Sequence, residues 1–352
     1  MLGHLRAILF MPFGEADSVG MAYKLLYFVT GFGHQCVIVF FVLSGFFVGA
    51  AFHRRFPADN IGSHVKSYCI NRMVRLWVVL LPALVFTFII DEAGKSVTST
   101  TAIYTTDSFF RFVPLTNDRS MLTFTGNAFF LQTILVPTFG TNGPLWSLAN
   151  EFWYYFMFPL LYLLFVRTVT VGNKVVLSIV LAAIVGWLTV RNFSVALGFI
   201  VWLMGFGAYV TKAKASAWVR ALCIALFFGI LAYIRLRDFP YSDEVLGVFT
   251  ALLVVAIRDV RLPRMKVIAD PLSRISYSLY LIHLPVIVFI SATAFNGSTL
   301  DVNSTGLFIF GAIALIIIGF SFLFYYLFER NTDRVRRYMK SIFEVRGTVT
   351  GS

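Results

Sequence analysis

The sequence predicts an all-α fold, a polytopic membrane bundle of about ten transmembrane helices. Three observations predict it. Hydrophobic residues make up 59% of the chain against 13% charged, and the mean hydropathy is +0.81. Apolar runs long enough to cross a ~30 Å hydrocarbon core, about 20 helical residues each, recur along nearly all 352 residues. The ten-residue alternation that marks the strands of a membrane barrel is absent.

The spans are read, in order, at 1 to 12, 28 to 50, 74 to 91, 147 to 166, 175 to 191, 195 to 211, 219 to 235, 244 to 257, 276 to 295 and 305 to 328. The first, MLGHLRAILFMP, supplies only ~18 Å of helix. It is read as a truncated span, with an interfacial helix as the alternative. A signal peptide would need a basic n-region and a small-x-small cleavage site, and neither is present. The piece NAFFLQTILV at 127 to 136 is too brief to cross and sits between Gly and Pro signals, so it reads as a short re-entrant or interfacial helix. Residues 92 to 126 are polar and rich in Thr and Ser, and are expected outside. Residues 1 to 330 form one membrane domain, and 331 to 352 a short basic cytoplasmic tail. Cys36, Cys69 and Cys223 lie far apart without metal-ligand spacing and read as core packing.

Charge orients the bundle. With the amino end inside, most of the 29 Lys and Arg fall on the inner side. They include Arg54, Arg55, Lys66, Arg72 and Arg75, then Arg167, Lys174, Lys212, Lys214 and Arg220. Arg258, Arg261, Arg264, Lys266 and Arg274 follow, with the tail from Arg330 to Arg346. Both termini are therefore expected in the cytoplasm. Basic loops facing anionic lipid account for the net charge of +12, so membrane lipid is a partner and nucleic acid is not.

Polar groups inside apolar spans cost free energy in lipid unless they are paired or face a cavity. Glu151, in PLWSLANEFWYYFMFPLLYLL, stands out. One reading makes it a helix-start acid capped by Ser147; the other makes it part of a site with Ser147 and Asn150. His4, His34 and Glu151 are all drawn near the outer ends of their spans. A His within reach of a carboxylate makes a general base suited to acyl transfer to an alcohol. Tyr277, Tyr280 and His283 recur at spacing three on one helix. That stripe could line a substrate pocket or be interhelical hydrogen-bonding glue. Ser44-Gly45 reads as close helix packing. No glycine-rich phosphate loop, metal-ligand cluster or GxSxG elbow is found.

The stretches FFVLSGFFVG (40 to 49), NRMVRLWVVLLPAL (71 to 84), GPLWSLANEFWYYFMFPLL (143 to 161), ISYSLYLIHLPV (275 to 286) and YYLFER (325 to 330) carry a resemblance. They look like the successive signatures of the integral-membrane acyltransferase family 3, in that family's order and over most of the chain. The resemblance implies O-acyl transfer, most often of acetyl, from acyl-CoA such as acetyl-CoA to a hydroxyl of a carbohydrate or glycolipid of the cell surface. It implies the cytoplasmic (inner) membrane as the location, acetyl-CoA as a co-substrate, and no permanently bound cofactor. Family members carry a histidine near the outer end of the first helix, with an arginine upstream. GHLRAILF looks like the tail of that helix, with His4 as its histidine, and the arginine has no counterpart after Met1. Arg72 and Arg75 match the family's R-x-x-R pattern. Three residues apart on a helix, they share a face that could grip the phosphates of a CoA donor, or they are an ordinary basic flank.

The expected mechanism is direct: acyl-CoA docks at Arg72 and Arg75, and His4, assisted by Glu151, deprotonates the acceptor. His34, Ser147, Asn150, Tyr277, Tyr280 and His283 are expected around the pocket, with no metal. A secondary transporter is the alternative from another class, supported by the intramembrane ionisable groups, though no inverted repeat is evident. A non-catalytic assembly subunit is a third.

Overall fold

The structure is a computed structural model that describes residues 1–13, 20–56, 60–97, 102–105, 108–110, 113–237, 239–260 and 263–349. Its elements begin with α1 (Leu2–Leu9), α2 (Met21–Thr30), α3 (Gly33–Arg54), α4 (Ile61–Val97) and α5 (Ala102–Thr105). A small antiparallel hairpin follows, β1 (Ser108–Phe110) and β2 (Val113–Leu115). Then come α6 (Met121–Ala128), α7 (Leu145–Leu164), α8 (Val171–Arg191), α9 (Phe193–Val210), α10 (Ala217–Leu236) and α11 (Ser242–Ile257). The chain ends in α12 (Pro263–Phe295), α13 (Ser304–Leu327), a single 3-10 turn (Glu329–Asn331) and α14 (Thr332–Val349). The all-α polytopic bundle is the fold observed.

Seven helices among the described residues are long and apolar enough to cross a membrane: Tyr23–Arg54, Ile61–Val97, Val171–Arg191, Phe193–Val210, Ala217–Leu236, Ala269–Phe295 and Ser304–Ile342. The outer faces of α8 and α10 show what surrounds them. Val175, Val176 and Ile179 on one, and Leu222, Leu226 and Phe228 on the other, are exposed, as suits helices solvated by lipid. The chain is a multi-pass membrane protein. The remaining expected spans are helical but differ in length or polarity. Helix α1 has 8 residues, α11 has 16 and so spans about 24 Å, and α7 has 20 but carries Ser147, Asn150 and Glu151.

Some local expectations change. The short helix read at 127 to 136 lies earlier, as α6. Ser120 caps it, accepting from Thr123 N at 3.2 Å, and Asp118 accepts from the Thr123 hydroxyl at 2.6 Å. Beyond Ala128 the chain turns, with Phe130 and Thr133 at positive φ. Asn127 ties that turn together by donating Nδ2 to Thr123 O at 2.8 Å and Pro137 O at 2.9 Å. The segment read as a polar loop from residue 92 starts as helix, since α4 continues to Val97, and it includes α5 and the hairpin. Residues 98–101, 106–107 and 111–112 of that segment, Arg261, and residues 350–352 of the tail lie outside the described residues. The tail is helical as α14. Cys36 is exposed, so the packing reading of the cysteines does not hold there; Cys69 and Cys223 are half-buried.

The helices group into two compact units. One contains Met1–Gly33, Ile70–Ala149 and Pro263–Ser352. In it α12 packs on α1 and α13. The core joins Leu5, Ile8 and Leu9 of α1 to Leu284, Ile287 and Val288 of α12 and to Phe310, Ile313 and Ile317 of α13, with Tyr23 and Tyr27 of α2. Leu5, Ile8, Leu9 and Leu284, Ile287, Val288 follow helical spacing, which places each set on one face.

The other unit contains His34–Cys69 and Asn150–Leu262. Here α3 and α9 meet main chain to main chain. A Cβ at Gly45 would overlap Trp202 O, and one at Gly205 would overlap Val42 O, so these glycines permit the approach. The packing expected of Ser44-Gly45 is therefore present at Gly45. An aromatic layer closes the same unit, with Phe158 against Phe206 at 4.8 Å, Trp202 at 5.0 Å and Phe52 at 5.5 Å between ring centroids.

Candidate functional site

Helix α12 organises the first unit's polar groups, and its prolines explain why. Pro285 has no N–H, so Leu281 O, one helical turn earlier, loses its intrahelical donor. Asn142 replaces it, donating Nδ2 to Leu281 O at 2.7 Å and to Thr87 Oγ1 of α4 at 3.1 Å. The loop carrying Asn142 is itself fixed to α4. Buried Asp91 accepts from Thr141 N at 2.9 Å and from Thr141 Oγ1 at 2.7 Å. Gly140, at φ +55, lies against that carboxylate with no room for a Cβ. Arg119 clamps the outer side, pairing its Nε with Glu92 Oε1 at 3.0 Å and donating Nη2 to Tyr104 O at 3.0 Å. Outside the membrane-spanning segments, the Thr123 hydroxyl and the Ser120 N–H hold the Asp118 carboxyl below its ordinary value.

Along α12 the candidates take different roles. Tyr277 donates to Leu76 O of α4 at 3.0 Å, beside Arg75. Ser278 binds Glu329 Oε2 through its N–H at 3.1 Å and its hydroxyl at 2.6 Å. The Tyr280 hydroxyl donates to Pro144 O and lies 2.6 Å from Ser147 Oγ. Tyr277, Tyr280 and Ser147 thus each make a hydrogen bond between elements of this unit. His283 differs. Its Nε2 is 2.9 Å from His4 Nδ1, and its Nδ1 faces Leu279 O at 3.0 Å and Tyr280 O at 2.8 Å. His283 is 2% exposed, whereas His4 is only half-buried.

The two imidazoles lie within 4° of parallel with centroids 5.1 Å apart. That separation is about the nitrogen-to-nitrogen distance plus two ring radii, so the rings meet edge to edge in a common plane. Two residues on, Arg6 stacks on Tyr27 at 4.4 Å. The structure therefore joins His4 to His283, two residues that sequence spacing placed on separate helices at opposite ends of the chain. Arg72 and Arg75 lie in the same unit on α4. Arg75 is exposed and acts electrostatically on Glu329.

The second unit holds Glu151. Glu151 is 6% exposed. Its Oε1 accepts from Ser44 Oγ at 2.9 Å and from the Tyr155 hydroxyl. Trp202 Nε1 donates to the same Ser44 Oγ at 3.1 Å. The carboxylate thus links α7, α3 and α9 by way of one serine. In the first unit, His4 Nδ1 meets His283 Nε2. Asn150 is buried beside Glu151 on α7. His34, at the start of α3, pairs with both oxygens of Asp243 in the first turn of α11 at 2.9 Å, with side chains 52% and 37% exposed.

The residues that sequence reading missed are Asn142, Asp91, Thr141, Asp243 and the polar role of Ser44. A signal existed for one: Pro285 announces an orphan carbonyl at Leu281, and a buried amide is the group that would fill it. Among the described residues no group of three or more His, Cys, Asp or Glu is placed to hold a metal ion.

A comparison with protein families matches residues 2–326 to the family described as an acyltransferase domain. No curated protein and no solved structure matches the chain.

Proposed function

We propose a function from one premise: the chain belongs to the integral-membrane acyltransferase family 3, and it is an acyltransferase. The donor in this reading is acyl-CoA, acetyl-CoA above all, offered from the cytoplasm. The acceptor is a hydroxyl of a carbohydrate or glycolipid bound for the cell surface, and the enzyme sits in the cytoplasmic membrane with both termini inside.

One observation carries the reading. His4, half-buried, is held at Nδ1 by His283, in the same compact unit as Arg72 and Arg75. Tyr277, which binds Leu76 next to Arg75, stands nearly two helical turns before His283 on α12, about 9 Å along the axis. Phosphates held by the two guanidiniums would leave the thioester arm to reach toward His4.

His4 Nε2 takes the proton of the acceptor hydroxyl as its oxygen attacks the thioester carbonyl. The new C–O ester bond forms, the C–S bond breaks, and the proton passes from the imidazolium to the departing thiolate, releasing free CoA. Within its own unit Glu151 accepts from Ser44 and so ties α7 to α3.

Transfer of radiolabelled acetyl from acetyl-CoA, measured in membranes that hold the native acceptor, tests this reading. His4→Ala should lower the apparent kcat by ~10²-fold or more. The double change Arg72→Ala, Arg75→Ala should instead raise KM for acetyl-CoA by about 10-fold or more, since each lost charge-assisted bond is worth about 1.5–3 kcal/mol. Wild-type transfer by the His4→Ala protein would refute the assignment.

A further inference from the structure

We propose that His283 is the positioning residue of this site. It selects the tautomer of His4 and so decides which nitrogen acts as base. The inference rests on the reading of His4 as the catalytic base and adds what makes it one.

The argument is a count of protons. A neutral imidazole carries one N–H and one lone pair, and which nitrogen holds the proton follows from the partners that each one meets. His283 Nδ1 meets two carbonyl oxygens, Leu279 O at 3.0 Å and Tyr280 O at 2.8 Å. Carbonyls only accept, so the proton of His283 belongs on Nδ1. The ring is 2% exposed, and the opposite choice would bury two lone-pair repulsions there. Nε2 of His283 is then an acceptor. The atom facing it at 2.9 Å is His4 Nδ1, which must carry the proton of His4. By elimination His4 presents its lone pair at Nε2, the edge of a residue that is only half-buried.

The common plane of the rings reinforces this. With an interplanar angle of 4° and centroids 5.1 Å apart, the Nδ1–H of His4 points along the in-plane lone pair of His283 Nε2, as a strong bond requires. When His4 gains a proton at Nε2 it becomes a cation whose Nδ1–H is already bonded to a neutral acceptor. That bond strengthens with the charge. The second imidazole therefore does the orienting work that a carboxylate does in a Ser-His-Asp arrangement, where loss of the correct tautomer leaves geometry intact yet removes most of the rate. The backbone of α12 fixes the proton of His283, and the core around Leu284 and Ile287 excludes the water that could exchange its place.

Two measurements test it together. The first uses membranes carrying the full chain, radiolabelled acetyl-CoA as donor and the native acceptor. His283→Leu should lower apparent kcat by ~10²-fold or more while KM for acetyl-CoA changes little, because the acceptor for His4 Nδ1–H is lost but donor binding is not. His283→Gln, whose amide oxygen can return an acceptor to that place, should recover at least about a tenth of the wild-type rate. The second is nitrogen NMR of wild-type protein in lipid nanodiscs with isotope-labelled histidine, tractable because the chain has 5 histidines. It should show His4 protonated at Nδ1 and bare at Nε2. Wild-type kcat in His283→Leu, alongside an inactive His4→Ala, would overturn the role of His283 and spare the assignment of the base. A His4 proton found on Nε2 would overturn it too. An active His4→Ala protein would instead refute the base itself, and the proposal with it.

Discussion

At Glu151 a carboxylate is buried in a unit where its partners are hydroxyls: it accepts from Ser44 and from Tyr155. The sequence made this residue conspicuous, because a carboxylate inside an apolar run demands an explanation. It did not disclose the partner, since Ser44 is more than a hundred residues away and a serine in a transmembrane helix can satisfy itself on its own backbone. Glu151→Gln keeps an acceptor oxygen and should leave thermal stability in detergent close to wild type. Glu151→Ala deprives both hydroxyls of that acceptor and should cost about 1–2 kcal/mol, the scale of interhelical hydrogen bonds in membranes. Equal unfolding temperatures for Glu151→Ala and wild type would contradict the linking role. His4 and His283 show the same division. Each was legible as an ionisable residue in lipid, while their pairing depends on α1 and α12 meeting, which no local pattern encodes.

At the scale of the element, α12 has a proline interruption that its surroundings repair. Pro285 leaves Leu281 O without a donor, and Asn142 supplies one at 2.7 Å from a loop that Asp91 and Thr141 fasten to α4. Asn142→Ala should destabilise the protein by about 1–2 kcal/mol through the orphaned carbonyl. In a Pro285→Ala background that loss should shrink, because the substituted residue brings back an N–H for Leu281 O. Thermal unfolding of the four proteins of this double-mutant cycle measures the coupling. Strict additivity of the two changes would contradict the account of the loop. Hydrophobic runs revealed the helices themselves, though α4 and α12 begin well before the apolar stretches that mark them. The short helix before α7 was displaced because its start is set by Ser120 and Asp118, polar residues outside the apolar stretch that drew attention. Gly45 was legible as a small packing residue, but its counterpart Gly205, and that the two bring α3 and α9 into main-chain contact, follow only from the fold.

For the whole molecule, the bilayer supplies the constraint that made the sequence readable. Lipid requires the main chain to satisfy its own hydrogen bonds, which leaves helices or a closed barrel, and the absence of ten-residue alternation selects the helical bundle. The same solvent makes each intramembrane polar residue informative, which is why the candidate residues could be named from sequence. Lipid does not say which of them meet, so the contact of His4 with His283 comes from the fold and not from the pattern. Membership of an acyltransferase family over residues 2–326 gives the reaction type, and the proposed base is His4, which meets His283. The most direct test of that central claim is the O-acetyl content of the surface glycans, read by NMR in a strain lacking this protein and complemented with wild type or with His4→Ala. The account predicts acetyl signals that vanish with the protein, return with wild type and stay absent with His4→Ala. Signals unchanged by loss of the protein, or restored equally by His4→Ala, would contradict it.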